Sequence, residues 1–435
     1  MISGMKPPDL RNEASDSVLA KPSSVGAFKV HDRKNDGNSW QSQRIPQNRG
    51  RPEKESLRLL SLQAGRGIAC LMVVLHHAAS YASDPRYWNL PGILPALRGT
   101  QLGVEYFFVL SGVVIYLAHE KDIQNPSRFG QYVVKRFRRI YPMYWLVLIP
   151  LVAQYLLRPH VGADYQRNEW VIASGIALVH VRSLEVNLPV AWSLFHEVLF
   201  YGFFALLIWK RRSGSVALVL WLAASVYFLV WHGNQYLSSY LFSPLHLLFG
   251  MGMLAAWILR HKTVPFPGFA AMVGLGMFGS SIVLAMGNDF PVWVSILSGA
   301  GATFVILGTS ALERKGRIWI PEFLVFLGGA SYSIYLLHYP FLMFAMPAIY
   351  RVSVRFHATV WMAMAVIVVL GTAAGCAFHM WVERPMLKRL ETINLSAVLP
   401  TGATAIFSYL RRIAEIGLLP GFGRASSQPR RDDGM

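Results

Sequence analysis

Cysteine and acidic side chains are the scarce components of this chain. Its 435 residues include two cysteines, Cys70 and Cys376, and both lie inside apolar runs. That usage excludes a disulfide framework and a cysteine metal centre; the two read as small core residues, and no other cluster reads as a metal site. Asp and Glu number 23 against 41 Lys and Arg, a formal net charge of +18. An excess of base invites a nucleic-acid reading. Here, however, the basic residues crowd the tails and alternate loops, where they set membrane orientation and meet anionic lipid. Nucleic acid is therefore not expected as a partner. No cleavable signal peptide is visible, so the first apolar run should itself direct insertion. No internal repeat and no second globular domain stand out.

Apolar residues are abundant, at 54% of the chain. Several runs approach the ~20 residues a helix needs to cross a bilayer. The expected fold is all-α: a polytopic helical membrane protein with ten transmembrane helices and one short re-entrant helix. The spans fall near 65–82, 102–118, 140–157, 192–209, 216–232, 240–259, 268–286, 292–312, 322–348 and 358–380. Lys and Arg concentrate in 119–139, 210–212, 260–262, 314–317 and 384–389, and these segments share one side if ten helices cross. Arg351 and Arg355 are the exception. Val171–Val181 is apolar but too short to cross, and reads as a half-helix packed inside the protein from the outer side. Residues 1–57 are expected to form a disordered basic tail, 58–390 the membrane domain, and 391–435 a second basic tail, both tails cytoplasmic.

Five stretches place polar groups in or beside spans. In the first, Arg66 and His77 are eleven residues apart, which is three helical turns plus about 20°, so they share a face roughly 16 Å apart. His76 points about 80° away from Arg66. The second, Gly103–Gly112, carries Glu105 and Ser111. The third, Arg136–Trp145, puts Arg136 and Arg139 on one face at the inner surface, with Pro142 suited to a first helical turn. The fourth holds Trp192, Ser193, His196, Glu197 and Tyr201. In the fifth, Ser331, Tyr335 and His338 form a stripe beside Tyr332, and Pro340 should kink the helix. Plainer readings exist for each. The arginines can be orientation signals, the carboxylates structural ion pairs, Trp192 a belt aromatic, Ser331 a backbone-bonded hydroxyl, and Gly328 and Gly329 packing residues. Glu383-Arg384-Pro385 reads as a helix stop.

Together the stretches resemble the acyltransferase-3 family of integral membrane acyltransferases. The resemblance rests on Arg66 with His77, Phe-Phe-x-x-Ser-Gly at 107–112, Arg-x-x-Arg at 136–139 before Tyr-Pro, and Trp-Ser-x-x-x-Glu at 192–197. It ends with Ser-Tyr-Ser-x-Tyr-Leu-x-His-x-Pro at 331–340 and Glu383 with Pro385. It implies transfer of an acyl group, commonly acetyl, from acyl-CoA as co-substrate to a hydroxyl of a cell-envelope or exported glycan or glycolipid, with no bound cofactor. It also implies the bacterial inner membrane as location. Three departures stand out: Glu105 where Asp is usual, His196 before Glu197, and the lack of an added hydrolase-like domain, which points to a single-module enzyme.

The residue chemistry agrees. Arg66, Arg136 and Arg139 suit CoA phosphates at the inner face. A histidine near mid-membrane, His77, suits removal of a hydroxyl proton, with Glu197 and Glu105 as further catalytic candidates. Ser111, Trp192, Ser193, Ser331, Tyr332, Tyr335 and His338 are candidate substrate contacts. The rival reading is a secondary transporter using intramembrane His, Glu and Arg, which should show a repeated half. A non-catalytic membrane scaffold would need no Arg–His register.

Overall fold

A computed structural model describes residues 59–392, apart from 91, 159, 181–184, 232–239 and 287–290. Both tails expected to be cytoplasmic, including the disorder expected of 1–57, lie outside the described residues. In chain order the helices are α1 Leu60–Ser83, α2 Ile93–Leu97, α3 Gly103–His119, α4 Phe129–Leu157, α5 Glu169–Ala177, α6 Trp192–Trp209 and α7 Arg211–Trp231. They continue as α8 His246–His261, α9 Pro267–Leu284, α10 Val292–Arg314, α11 Glu322–Arg355 and α12 Val360–Phe378. A π turn, His379–Glu383, joins α12 to α13, Arg384–Thr392. There is no strand among the described residues.

Each of the ten expected spans coincides with a long helix. Among the described residues, eight helical stretches are long and apolar enough to cross a membrane. The remaining two are α1, which carries Arg66 and the histidine pair, and α8, with 16 residues. The chain is a multi-pass helical membrane protein. Helices α7 and α9 expose large apolar side chains, among them Val219, Leu220 and Trp231 on α7 and Phe269, Met272 and Leu275 on α9, as a lipid-facing surface must.

Helix α1 is the centre of the bundle and packs most extensively on α11, with α3 and α12 beside it. The approach is close because glycine faces backbone. A Cβ at Gly67 would lie 2.9 Å from the Leu324 carbonyl oxygen, and one at Gly328 would overlap the carbonyl of Gln63. Small residues permit such approach where no hydrophobic force drives helices together. The start of α1 is held from elsewhere. Leu59 offers no side-chain cap, and Glu313, near the end of α10, accepts from the backbone N–H of Leu60 at 2.6 Å and of Ser61 at 2.9 Å. Two orphan donors are satisfied and a negative charge meets the positive end of the helix dipole.

Two local expectations change. The basic segment before 140 is not all loop: α4 begins at Phe129, so Pro142 lies deep inside the helix and not in its first turn. The reason is a buried stripe at helical spacing, with Tyr132 two turns before Ile140 and Met143 one turn after it, which carries the apolar face of the span back into 129–139. Glu383 is likewise no helix stop. The chain runs helically through it into α13, with Pro385 in the first turn of α13, where a missing N–H costs little.

The short apolar segment forms α5, nine residues long. Asn168 caps its N-terminus by accepting from Trp170 N–H at 2.9 Å, and Leu178 ends it in the left-handed region at φ 54°. Leu178 N–H reaches back to the Gly175 carbonyl, and α4 supplies donors to the last three carbonyls. Tyr144 donates to Gly175 at 2.9 Å, Trp145 Nε1 to Ile176 at 2.9 Å and Tyr141 to Ala177 at 2.8 Å. Three aromatics of α4 thus do for this half-helix what water does at an ordinary helix end. Helix α11 runs unbroken through Pro340 and Pro347.

Candidate active site

The bundle holds a partly open pocket, with about 460 Å³ of space including the solvent at its mouth. Its lining brings together Arg66, Ser111, Ser193, Glu197, Ser331, Tyr332 and Tyr335 from α1, α3, α6 and α11. Val104, Phe107, Phe108 and Leu194 supply the apolar part. Hydroxyls on greasy walls, with one cation and one carboxylate, suit a substrate of mixed polarity.

Glu197 is the best-connected polar group there. One carboxylate oxygen, Oε1, accepts from Ser111 Oγ at 2.9 Å and from the Tyr201 hydroxyl one turn along α6. Arg66 lies within electrostatic reach of Glu197, Arg139 and Glu383, yet its Nε is buried without a hydrogen-bond partner. Tyr335 is fixed by Ser193 at 2.7 Å and donates to the Val190 carbonyl at 2.9 Å. Tyr332 donates to the Ile140 carbonyl at 2.7 Å, and Ser331 to Gly328 at 2.8 Å.

His77 does not line this cavity. It lies past Tyr335: the His338 ring is 5.9 Å from Tyr335 and 5.1 Å from His77. Hydrogen-bond logic assigns its tautomer. His338 Nδ1 is 3.1 Å from the Ile334 carbonyl, which only accepts, so His338 Nδ1 carries the proton and Nε2 is an acceptor. His77 Nδ1 faces two acceptors, the Val73 carbonyl at 2.9 Å and His338 Nε2 at 3.3 Å. The His77 proton therefore sits on Nδ1, and Nε2 keeps its lone pair. His76, turned the other way, has a buried Nδ1 without a partner.

The two arginines of α4 part company. Arg139 donates to Glu383 at 2.8 Å and lies over the Tyr332 ring, 5.4 Å from its centroid. Glu383 is fully buried and also accepts from Ser333 at 2.7 Å and His379 at 2.7 Å. Arg136 instead lies between the Tyr132 and Tyr201 rings, with His119 as its hydrogen-bond partner. Glu105 is absent from the cavity lining. It is buried against α10, accepting from Ser295 at 2.8 Å, while its Oε2 has no partner. Trp192 packs edge-on to Phe108 and His196 behind the lining, and His196 pairs with His246 at 2.8 Å.

Sequence reasoning passed over Glu383 as a site residue. The one-turn spacing of His379 and Glu383 was the available signal, since it lets two side chains share a face. His119, Asp122 and Ser295 were passed over too.

The chain matches, over residues 59–381, a family described as an acyltransferase domain. It is a member of the acyltransferase-3 family. Among its relatives is the exopolysaccharide production protein ExoZ of Rhizobium meliloti, 29% identical over 68% of this chain and 92% of that protein. Another is the putative membrane-bound transacylase BcsY of Komagataeibacter xylinus, 24% identical over 81% of this chain and 91% of that protein. The peptidoglycan O-acetyltransferase OatA of Listeria monocytogenes is 25% identical over 39% of this chain and 25% of its own length. No solved structure matches the chain. As a family member the protein is an acyltransferase, and the matched span covers the cavity, His77 and Arg136 while stopping just short of Glu383.

Proposed function

We propose that the protein moves an acyl group, acetyl by preference, from cytoplasmic acyl-CoA to a hydroxyl of a cell-envelope or exported glycan or glycolipid. Its membrane is then the bacterial inner membrane, with both termini cytoplasmic, as the alternation of basic loops favours. The observation that carries the reading is the position of His77 Nδ1, 2.9 Å from the Val73 carbonyl and 3.3 Å from His338 Nε2, which commits the ring proton to Nδ1 and leaves Nε2 as a base. The names of ExoZ and OatA, one an exopolysaccharide production protein and one a peptidoglycan O-acetyltransferase, support a glycan acceptor.

In the proposed reaction His77 Nε2 takes the proton of the acceptor hydroxyl as the oxygen attacks the thioester carbonyl. The C–S bond breaks, the ester forms, and the proton passes to the departing thiolate to give free CoA thiol. Arg66 holds donor charge at the near end of α1, where its Nε lacks a protein partner. Glu197, held by Ser111 and Tyr201, orients the polar part of the donor in the cavity, and Ser193, Ser331, Tyr332 and Tyr335 contact it. The test is transfer of labelled acetyl from acetyl-CoA into envelope glycan by membranes holding the parent or His77→Ala at equal level. Label in the glycan that depends on His77 supports the reading; equal labelling by both overturns it.

A further inference from the structure

Arg136 differs from its neighbour Arg139 in that no carboxylate pairs with it among the described residues. Its hydrogen-bond partner is a neutral acceptor. Nη2 lies 3.2 Å from Nε2 of His119, the last residue of α3, which is 3% exposed. The other ring nitrogen, Nδ1, lies 2.8 Å from Asp122 Oδ2, three residues on. Arginine only donates, so His119 Nε2 must accept, and the one proton of the neutral ring sits on Nδ1, aimed at Asp122. Aspartate thus sets the tautomer, and the tautomer presents a lone pair to the guanidinium. This is the carboxylate–histidine arrangement that orients metal-bound histidines, used here on an arginine.

The consequence is electrostatic. Arg139, bound directly by Glu383, has its charge largely matched. Arg136 is held by a neutral ring and by two aromatic faces, with centroids 5.9 Å and 5.8 Å away, so it is oriented while keeping its positive charge. Its Nε is buried and unpartnered. A guanidinium fixed in place with charge and donors to spare suits a phosphate.

We propose that His119 and Asp122 are positioning residues that hold Arg136 for the phosphates of acyl-CoA. The inference rests on the reading of the protein as an acyl-CoA-dependent enzyme. It makes Arg136 the main phosphate contact of the α4 pair and gives Arg139 a structural task. It also predicts that the acceptor atom at His119 Nε2 matters more than the imidazole itself. A glutamine places an amide oxygen near the same point.

The test is binding of radiolabelled acetyl-CoA to the purified full-length protein in detergent. Arg136→Ala should weaken binding at least tenfold. His119→Ala and Asp122→Asn should each weaken it severalfold, His119→Gln should recover most of the loss, and Arg136→Ala/His119→Ala should be no weaker than Arg136→Ala alone. A purely structural His119 would not give that rescue and non-additivity. Parent-like binding by Arg136→Ala would defeat the donor reading itself. Weak binding by Arg136→Ala with parent-like binding by Asp122→Asn, or additive losses in the double variant, would defeat the positioning role alone. Should His119→Ala fail to insert, His119→Gln and Asp122→Asn decide the matter.

Discussion

His338 Nε2 lies 3.3 Å from His77 Nδ1, across the contact between α11 and α1. The relationship gives His338 a supporting part: it shares the His77 proton with the Val73 carbonyl. His77→Ala should therefore lose about 10²–10⁴ in acyl transfer, the usual worth of a general base. His338→Ala should lose less, because Val73 still fixes the tautomer, and His76→Ala should keep substantial activity. Initial rates with labelled acetyl-CoA in membranes of matched protein content check the order. A larger loss with His76→Ala than with His77→Ala would show that the other ring of the pair is the base.

Glu383 accepts from three side chains on three segments, so removing it strands a guanidinium and two other polar groups. Glu383→Ala should cost about 3 kcal/mol, the low end for a broken buried pair, because the Arg139 side chain is 32% exposed. Thermal unfolding in detergent measures it. The double variant with Arg139→Ala should cost less than the sum of the single ones, and strict additivity would mean the pair contributes nothing.

Gly328 and Gly329 are neighbours with opposite surroundings. A Cβ at Gly328 would strike the Gln63 backbone of α1, which cannot swing aside, whereas one at Gly329 would find only His379 Nε2 at 3.9 Å. Gly328→Ala should destabilise the protein by about 1–3 kcal/mol through overpacking, and Gly329→Ala should be near neutral. Their melting temperatures in one detergent compare the two directly. Equal melting points would place the α1–α11 crossing elsewhere.

Topology gives the last prediction. The turn after α1 holds Arg86, whose side chain is 73% exposed and paired with Asp84 at 2.7 Å. The turn between α6 and α7 is Lys210 alone. In a cysteine-free background, a cysteine at Arg86 should react with an impermeant maleimide added outside intact cells, and one at Arg211 should react only after permeabilisation. The reverse pattern would invert the proposed orientation and put Arg136 and His119 on the wrong side for cytoplasmic CoA.

What the sequence determined by itself is the set of long helices and the residues worth watching. Apolar run length is a local property matched to bilayer thickness, so the ten expected spans reappear as helices and Val171–Val181 as a half-helix. The helical turn also reports which side chains share a face, which is how Arg66, Ser331 and Tyr335 were marked before their common cavity was seen. Periodicity misjudged the start of α4 and the π turn at Glu383 that Pro385 disguised as a stop, and a shared helical face did not give Arg66 and His77 one cavity or Arg136 and Arg139 one partner. Partnership was decided by the tertiary structure. Glu383 meets Arg139 across 244 residues and Glu313 caps α1 across 253, while Glu105 turns to Ser295 and His77 stays beyond Tyr335. Such pairings depend on how far one helix slides and rotates against another. Backbone contacts at Gly67 and Gly328 set that register for α1 and α11, and a register between segments leaves no periodic trace in either one.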